Sequence, residues 1–353
     1  MVMRRSSRHR RTLTRPLGLC LGLLACGTAI MFSGACQSLS KPKLEQRLRE
    51  LDKNASVGAL ERATFTADLG NGPEALELVY RHVAAEDPVD PVPIVLIHGT
   101  PSTLFSWTEL IGGAPDGPLG EGFAGLGATR DVYALEVIGH GIAPSNSAPI
   151  SFERCARFAA AALRALERER VHLVGSSYGG EFVWRAALNE PELIASVTLI
   201  DSSGIGRRPQ DWLSEELVMR DNSLATLGWM LNSRERIEAA LAPHFRGLPP
   251  DRVEEFFLVC ENAENWKAMV YLARDENGER EGELGNLQPP TLVLWGADDI
   301  AYPLEVYGQR FADEIPHAEL VALPDCGHYP HEEHPAEVVR VLSRFLDAQR
   351  SAP

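Results

Sequence analysis

Six short, mostly apolar runs recur along the chain, at residues 94–97, 132–137, 171–174, 197–200, 291–295 and 320–323. Runs of this length without strict polar alternation suit strands covered on both faces, as in a buried parallel sheet. Amphipathic stretches at 152–168, 181–188 and 304–312 lie between several of them. Strand and helix in alternation predict a mostly parallel central sheet with helices packed on its faces. Upstream, alternating stretches at 63–67 and 76–83 flank Gly70-Asn71-Gly72-Pro73 and predict a β-hairpin.

One interval breaks the rhythm. About ninety residues separate the run ending near Asp201 from the one starting at Thr291, too many for a crossover loop. Helical patterns at 212–219, 234–241 and 252–272 fill it, which predicts a helical cap over 204–288 inserted into a core made of 62–203 and 289–353. Residues 37–61 are polar and charged and are expected to be a tether.

Charge separates the first residues from the rest. Net charge is −15, yet the first 35 residues hold six arginines and no acidic residue. Setting those six aside leaves 28 basic against 49 acidic residues, a balance of −21. So acidic a body repels nucleic acid, and no nucleic-acid partner is expected. The basic start is followed by an uncharged apolar run at 17–35, the build of a secretory leader over 1–36. Phe32-Ser33-Gly34-Ala35-Cys36 resembles a bacterial lipobox, with Leu23-Leu24-Ala25-Cys26 a second candidate, and Arg10-Arg11-Thr12-Leu13 loosely resembles a twin-arginine signal. The expectation is export to the cell envelope with a lipid anchor at Cys36, or otherwise a periplasmic or secreted protein; an uncleaved anchor is the alternative. Cys155, Cys260 and Cys326 remain in the body without metal or redox spacing and are expected to be small buried apolar residues.

The densest chemical signal is Gly175-Ser176-Ser177-Tyr178-Gly179-Gly180, between an apolar run and a helical stretch. A G-x-S-x-G motif in that context is a nucleophile elbow, which holds Ser177 at the positive end of a helix. A serine needs a base, and the base needs an orienting acid. Gly296-Ala297-Asp298-Asp299 follows one run and Asp325-Cys326-Gly327-His328 follows the next, in the order Ser, acid, His. His328 is the candidate base. The amide of Tyr178 and that of Thr100, in His98-Gly99-Thr100-Pro101, are the candidate oxyanion donors. His98 is expected to be a structural hydrogen-bonding residue. A metal site built from His328, His331 and His334 is disfavoured because Pro330 and Pro335 break the helix that would align them. Glu332 and Glu333 read equally well as a solvated helix start.

These pieces, with Gly139-His140-Gly141 and Ile200-Asp201-Ser202-Ser203-Gly204, make the sequence resemble the α/β-hydrolase family. The resemblance is to its cap-bearing branch of esterases, C–C bond hydrolases, epoxide hydrolases and haloalkane dehalogenases. It implies the α/β-hydrolase fold and, through the family's G-x-x-D turn, Asp299 as the acid. Asp298 is the fallback, and members that place the acid one strand earlier would select Asp201. Epoxide hydrolases and dehalogenases of this kind use an aspartate nucleophile, so Ser177 disfavours both activities. Glu136-Val137-Ile138-Gly139 departs from the family's Asp-x-x-Gly turn and is expected to affect packing only.

The function expected is hydrolysis of a carboxylic ester through an acyl-serine, on a small apolar ester or acyl substrate, with no cofactor or metal required. A C–C bond hydrolase with the same residues is the alternative, and a non-catalytic surface lipoprotein is a third reading. Trp212, Trp229, Phe245, Phe256, Phe257, Trp266 and Tyr271 are expected to shape the cap, with two or three facing substrate.

Overall fold

The computed structural model describes residues 38–52, 57–114, 122–144, 149–207 and 222–350. The leader, both lipobox candidates and the 212–219 pattern with Trp212 lie outside the described residues.

In chain order the elements are α1 (Lys41–Leu51), β1 (Leu60–Asp68), β2 (Pro73–Val83), β3 (Ile94–Ile97), α2 (Thr108–Gly112), β4 (Gly113–Ala114), β5 (Phe123–Ala124), β6 (Val132–Leu135), α3 (Phe152–Ala165), β7 (Val171–Ser176), α4 (Tyr178–Asn189) and β8 (Ile194–Ile200). They continue with α5 (Asn222–Met230), α6 (Arg234–Leu241), α7 (Pro250–Glu261), α8 (Ala263–Asp275), β9 (Thr291–Gly296), α9 (Gly308–Glu314), β10 (Glu319–Leu323), α10 (Pro330–Glu333) and α11 (Pro335–Arg350).

Eight strands form one sheet in the order β1-β2-β6-β3-β7-β8-β9-β10. The β1–β2 and β2–β6 pairs are antiparallel and every later pair is parallel, so the fold is the α/β-hydrolase fold. Strands β3, β6, β7 and β9 are buried at every residue, which is why their sequences show no polar alternation. Two apolar clusters cover the sheet. One holds α3 and α4 through Phe158, Phe182 and Trp184; the other holds α11 through Val338, Leu342 and Phe345. The parallel strands bring the loops after β3, β7, β9 and β10 to one sheet edge, the place where α/β proteins build their sites.

Among the described residues, helices α5 to α8 lie between β8 and β9. The single helical pattern at 252–272 is in fact two helices. Asn262 ends α7 and caps α8, its side chain accepting from the Asn265 amide at 3.0 Å.

The expected tether is corrected. Residues 41–51 form α1, which packs on the body through Leu44 and Leu48, both essentially unexposed. An i,i+4 pair of leucines is a narrow apolar stripe, easily hidden among six charged residues in sequence. Lys41 Nζ donates to the Gly141 carbonyl at 2.8 Å and to Asn265 Oδ1, while Arg47 pairs with Glu254 of α7. Among the described residues no helix is long and apolar enough to cross a membrane.

Candidate active site

Ser177 sits between β7 and α4 with φ 53° and ψ −124°, a left-handed conformation costly for a residue with a side chain. Three main-chain bonds hold it there. Its amide donates to Ile200 at 2.9 Å, and its carbonyl accepts from Gly180 at 3.0 Å and Ser203 at 3.1 Å. The glycines are needed for close approach. A Cβ on Gly179 would lie 2.4 Å from the Ile97 carbonyl oxygen, and one on Gly99 2.8 Å from Ser177 Cβ. Any larger residue would push β3 and its loop away from the elbow.

Asp299 receives His328. Its Oδ2 accepts from His328 Nδ1 at 2.8 Å, and its Oδ1 accepts from the amides of Ala301 at 2.7 Å and Tyr302 at 3.2 Å. Asp298, the fallback, points elsewhere and pairs with Arg246 at 2.7 Å. Asp201 is near but takes another part. Its carboxyl accepts from the Gly296 amide at 3.0 Å and hydrogen-bonds Asp299. Burial, then the Asp299 charge beside it, hold Asp201 well above the ordinary carboxylate range. Burial also opposes the charge on Asp299, but the His328 imidazole and the bonds from His328, Asp201 and Tyr302 outweigh it and lower its pKa. The two shifts run in opposite directions, so of the two carboxyls Asp299 ionises first and Asp201 holds its proton to higher pH. Ligand atoms of Asp201, Asp299 and His328 lie within 4.8 Å of one another, a spacing that could hold a cation. The N–H donors already aimed at both carboxyls account for the spacing without one.

His331 and His334 do not join His328. His331 Nε2 faces Glu332 at 3.4 Å, and His334 Nε2 is bonded to the Asp325 carbonyl at 3.0 Å. His98 is structural. Its Nδ1 donates to the Gly99 carbonyl at 2.7 Å and its Nε2 accepts from the Val137 amide at 3.2 Å, and burial pushes its pKa down to about 3. Glu136 accepts from the amides of Leu104 at 2.9 Å and Ile142 at 3.0 Å, binding two loops beside the site.

Ser177, His328, Thr100 and Tyr178 all open onto one cavity of about 510 Å³. Tyr178 is the first residue of α4, so its amide belongs to the positive end of that helix. The Thr100–Pro101 peptide is cis, and the Thr100 hydroxyl is buried with no protein hydrogen-bond partner. The cap helices give it apolar walls through Leu241, Phe256, Trp266 and Met269. Two of the cap aromatics, Phe256 and Trp266, line it. Phe245 instead stacks on Tyr329 at 4.4 Å, and Trp229 Nε1 donates to the Cys260 carbonyl at 3.1 Å. Cys155, Cys260 and Cys326 are free and buried.

Three supports were missed in the sequence. Glu276, in the hydrophilic run Asp275–Arg280, accepts from the hydroxyls of Tyr178 at 3.0 Å and Tyr302 at 2.6 Å. Glu333 is no solvated helix start: it accepts from the amides of Gly327 and Tyr329, each at 3.1 Å, on either side of His328. Arg252 of α7 reaches Glu332 at 2.8 Å, Ser102 Oγ at 3.2 Å, and Glu255. It thus ties the cap to the loops carrying His328 and Thr100. Arg252 and Glu332 lie 80 residues apart in sequence, and Glu276 and Tyr178 lie 98 apart, so neither pair carries a local signal.

The model of the alpha/beta hydrolase family matches residues 94–341. Among curated proteins, the chain is 25% identical over 297 residues to the 2-hydroxymuconate semialdehyde hydrolase of Pseudomonas putida, covering 78% of this chain and 94% of that one. Among solved structures it resembles a membrane phospholipase A described as a bacterial virulence factor, with a TM-score of 0.64, 25% identity, and 94% and 98% of the two chains covered. It also resembles a thermophilic esterase from Thermogutta terrifontis, with a TM-score of 0.65, 21% identity, and 82% and 100% covered. The chain belongs to the alpha/beta hydrolase family, and over most of its length it is similar to hydrolases.

Proposed function

We propose that this member of the alpha/beta hydrolase family cleaves a carboxylic ester of an apolar acyl group by transfer to Ser177 and then to water. The observation that carries the reading is the cavity: Ser177 and His328 share it with apolar cap walls, and among its described lining residues the single Lys or Arg, Arg236, belongs to the exposed side of α6. An anionic substrate would leave its charge without a buried partner, whereas a neutral acyl chain gains by leaving water.

In this mechanism Asp299 occupies His328 Nδ1, which leaves Nε2 to take the Ser177 proton as Oγ attacks the carbonyl carbon. Negative charge gathers on the carbonyl oxygen, where the amides of Thr100 and Tyr178 would donate; one such donor contributes about 3 kcal/mol to the transition state. His328 then protonates the leaving alcohol, and water attacks the acyl-serine by the reverse sequence. Asp299 stays ionised throughout and stabilises the imidazolium.

A second reading, C–C bond hydrolysis, draws on the likeness to the Pseudomonas putida hydrolase. The test combines labelling and turnover. A fluorophosphonate should label the wild type on Ser177 and neither Ser177→Ala nor His328→Ala. Turnover of aryl esters, with none of a 2-hydroxy-6-oxo-dienoate, supports the ester reading; the reverse selects C–C cleavage. A folded protein that neither labels nor turns over either substrate would leave only the reading as a non-catalytic surface lipoprotein.

A further inference from the structure

Helix α5 presents an apolar face to solvent. Leu224, Leu227 and Leu231 are 48%, 49% and 47% exposed. They stand three and four residues apart, and the Leu231 amide still donates to the Leu227 carbonyl, so their Cβ atoms fall on one side of a continuous helix. They are three of the six large apolar side chains exposed among the described residues. Scattered surface leucines need no explanation, but half of this exposure on two turns of one helix does. No charged residue occurs from Asn222 to Met230, within a body whose balance is −21.

The opposite side of α5 is fastened to the cap. Ala225 accepts from Trp266 Nε1, and Trp229 Nε1 donates to the Cys260 carbonyl, each at 3.1 Å. The next two residues hold the start of the described chain. The Glu261 carbonyl accepts from the Leu39 amide at 3.1 Å, and Asn262 Nδ2 donates to the Leu39 carbonyl at 2.7 Å. Residues 260 to 262 therefore anchor α5 on one hand and Leu39 on the other. In sequence, the uncharged run 17–35 ends four residues before Leu39. Four residues of extended chain reach about 14 Å at most, and a nineteen-residue uncharged run is long enough to sit across a bilayer's hydrocarbon.

We propose that the Leu224–Leu227–Leu231 face docks on the surface of a lipid bilayer, the same one that receives the apolar N-terminal run. Gly228 and Asn232, next in sequence to two of these leucines, line the catalytic cavity. Docking sets the cavity beside lipid, so the ester it takes is membrane-borne; this last step rests on the ester reading, while the docking does not. Contact is apolar rather than ionic, because the acidic body gains nothing from anionic headgroups.

The experiment uses the chain from residue 37 onward, since Leu39–Pro353 form one compact unit and the apolar run would otherwise mask the surface. The parent is compared with Leu224→Gln/Leu227→Gln/Leu231→Gln and with the single variant Leu227→Asp. Measured are flotation with phosphatidylcholine vesicles at low and high salt, hydrolysis of a water-soluble short ester, thermal midpoint, and size against concentration. The parent should float with the vesicles at either salt. The triple variant should bind on the order of tenfold more weakly or less, with Leu227→Asp between them, and with midpoint and soluble-ester turnover unchanged. Equal flotation of parent and variants, or none by the parent, overturns the proposal. A concentration-dependent dimer of the parent that the variants lose, without flotation, assigns the face to a second copy and overturns it too. If flotation differs as expected but no protein turns over any ester, the docking stands and the ester reading falls.

Discussion

The two halves of the site are held by different kinds of bond. On the core side the holding groups are mostly main-chain amides. Ser177 is pinned by its own backbone, Asp299 by the amides of Ala301 and Tyr302, Asp201 by that of Gly296, and Glu333 by those of Gly327 and Tyr329. On the cap side, apart from the His328 amide donating to the His244 carbonyl at 2.8 Å and the Arg246 amide to Glu333 at 2.7 Å, many of the ties are side chain to side chain. Arg252 bridges Glu255, Glu332 and Ser102, Glu276 gathers two tyrosine hydroxyls, and Glu254 takes Arg47 and Arg234. Backbone bonds survive most substitutions, whereas a side-chain knot is lost with one residue. The attacking geometry is thus set by the fold, and the cavity roof by a handful of replaceable charges.

If that contrast is right, the largest effect on activity belongs to the core half. Asp299→Asn should keep the fold and lower kcat about 10³- to 10⁴-fold, since the imidazole loses its orienting charge. Single-turnover kinetics with an aryl ester check it; a loss under tenfold would move the triad acid elsewhere, with Asp201 first in line. Next comes the cap knot. Arg252→Met leaves Glu255 and Glu332 buried without their cation and should cost about 3–5 kcal/mol of stability, read by urea unfolding. Adding Glu255→Gln and Glu332→Gln should return most of it; no recovery would mean that Arg252 acts by packing on Phe256, 4.9 Å away.

The smallest activity effect is expected at Asp201, where Asn can accept from Gly296 and donate to Asp299 as the neutral acid does. Asp201→Asn should keep kcat within about threefold and leave the pH–rate profile in place. Stability should respond differently. A carboxyl whose pKa is raised by folding binds its proton more tightly folded than unfolded, so wild-type stability falls as pH climbs from the unfolded pKa toward the folded one. The variant lacks that slope, so its Tm should match wild type near pH 4 and exceed it by a few degrees at pH 8. A large loss of kcat would instead make Asp201 the ionised partner.

The sequence made the same division visible. Strands β3, β7 and β9 announce themselves because burial on both faces removes polar residues, and the elbow does so because Gly179 has no room for a Cβ. The cap knot and α1 stayed hidden because Arg252, Glu276 and Lys41 look like ordinary surface charge until a distant segment folds against them. Asp299 and Asp298 differ only in direction: one turns to His328, the other to Arg246. Adjacent identical carboxylates give a reader of sequence nothing but the family's turn to separate them.

The two ends of the described body also differ in what they grip. Leu39 and Lys41 are fastened to α7, α8 and the Gly141 turn, whereas α11 runs to Arg350 along the sheet core. Tension applied at Leu39 is therefore borne first by the roof of the cavity, and tension applied at Arg350 by the scaffold. Holding the body through Leu39 would load the part that shapes the substrate space, while holding it through Arg350 leaves that part unstressed.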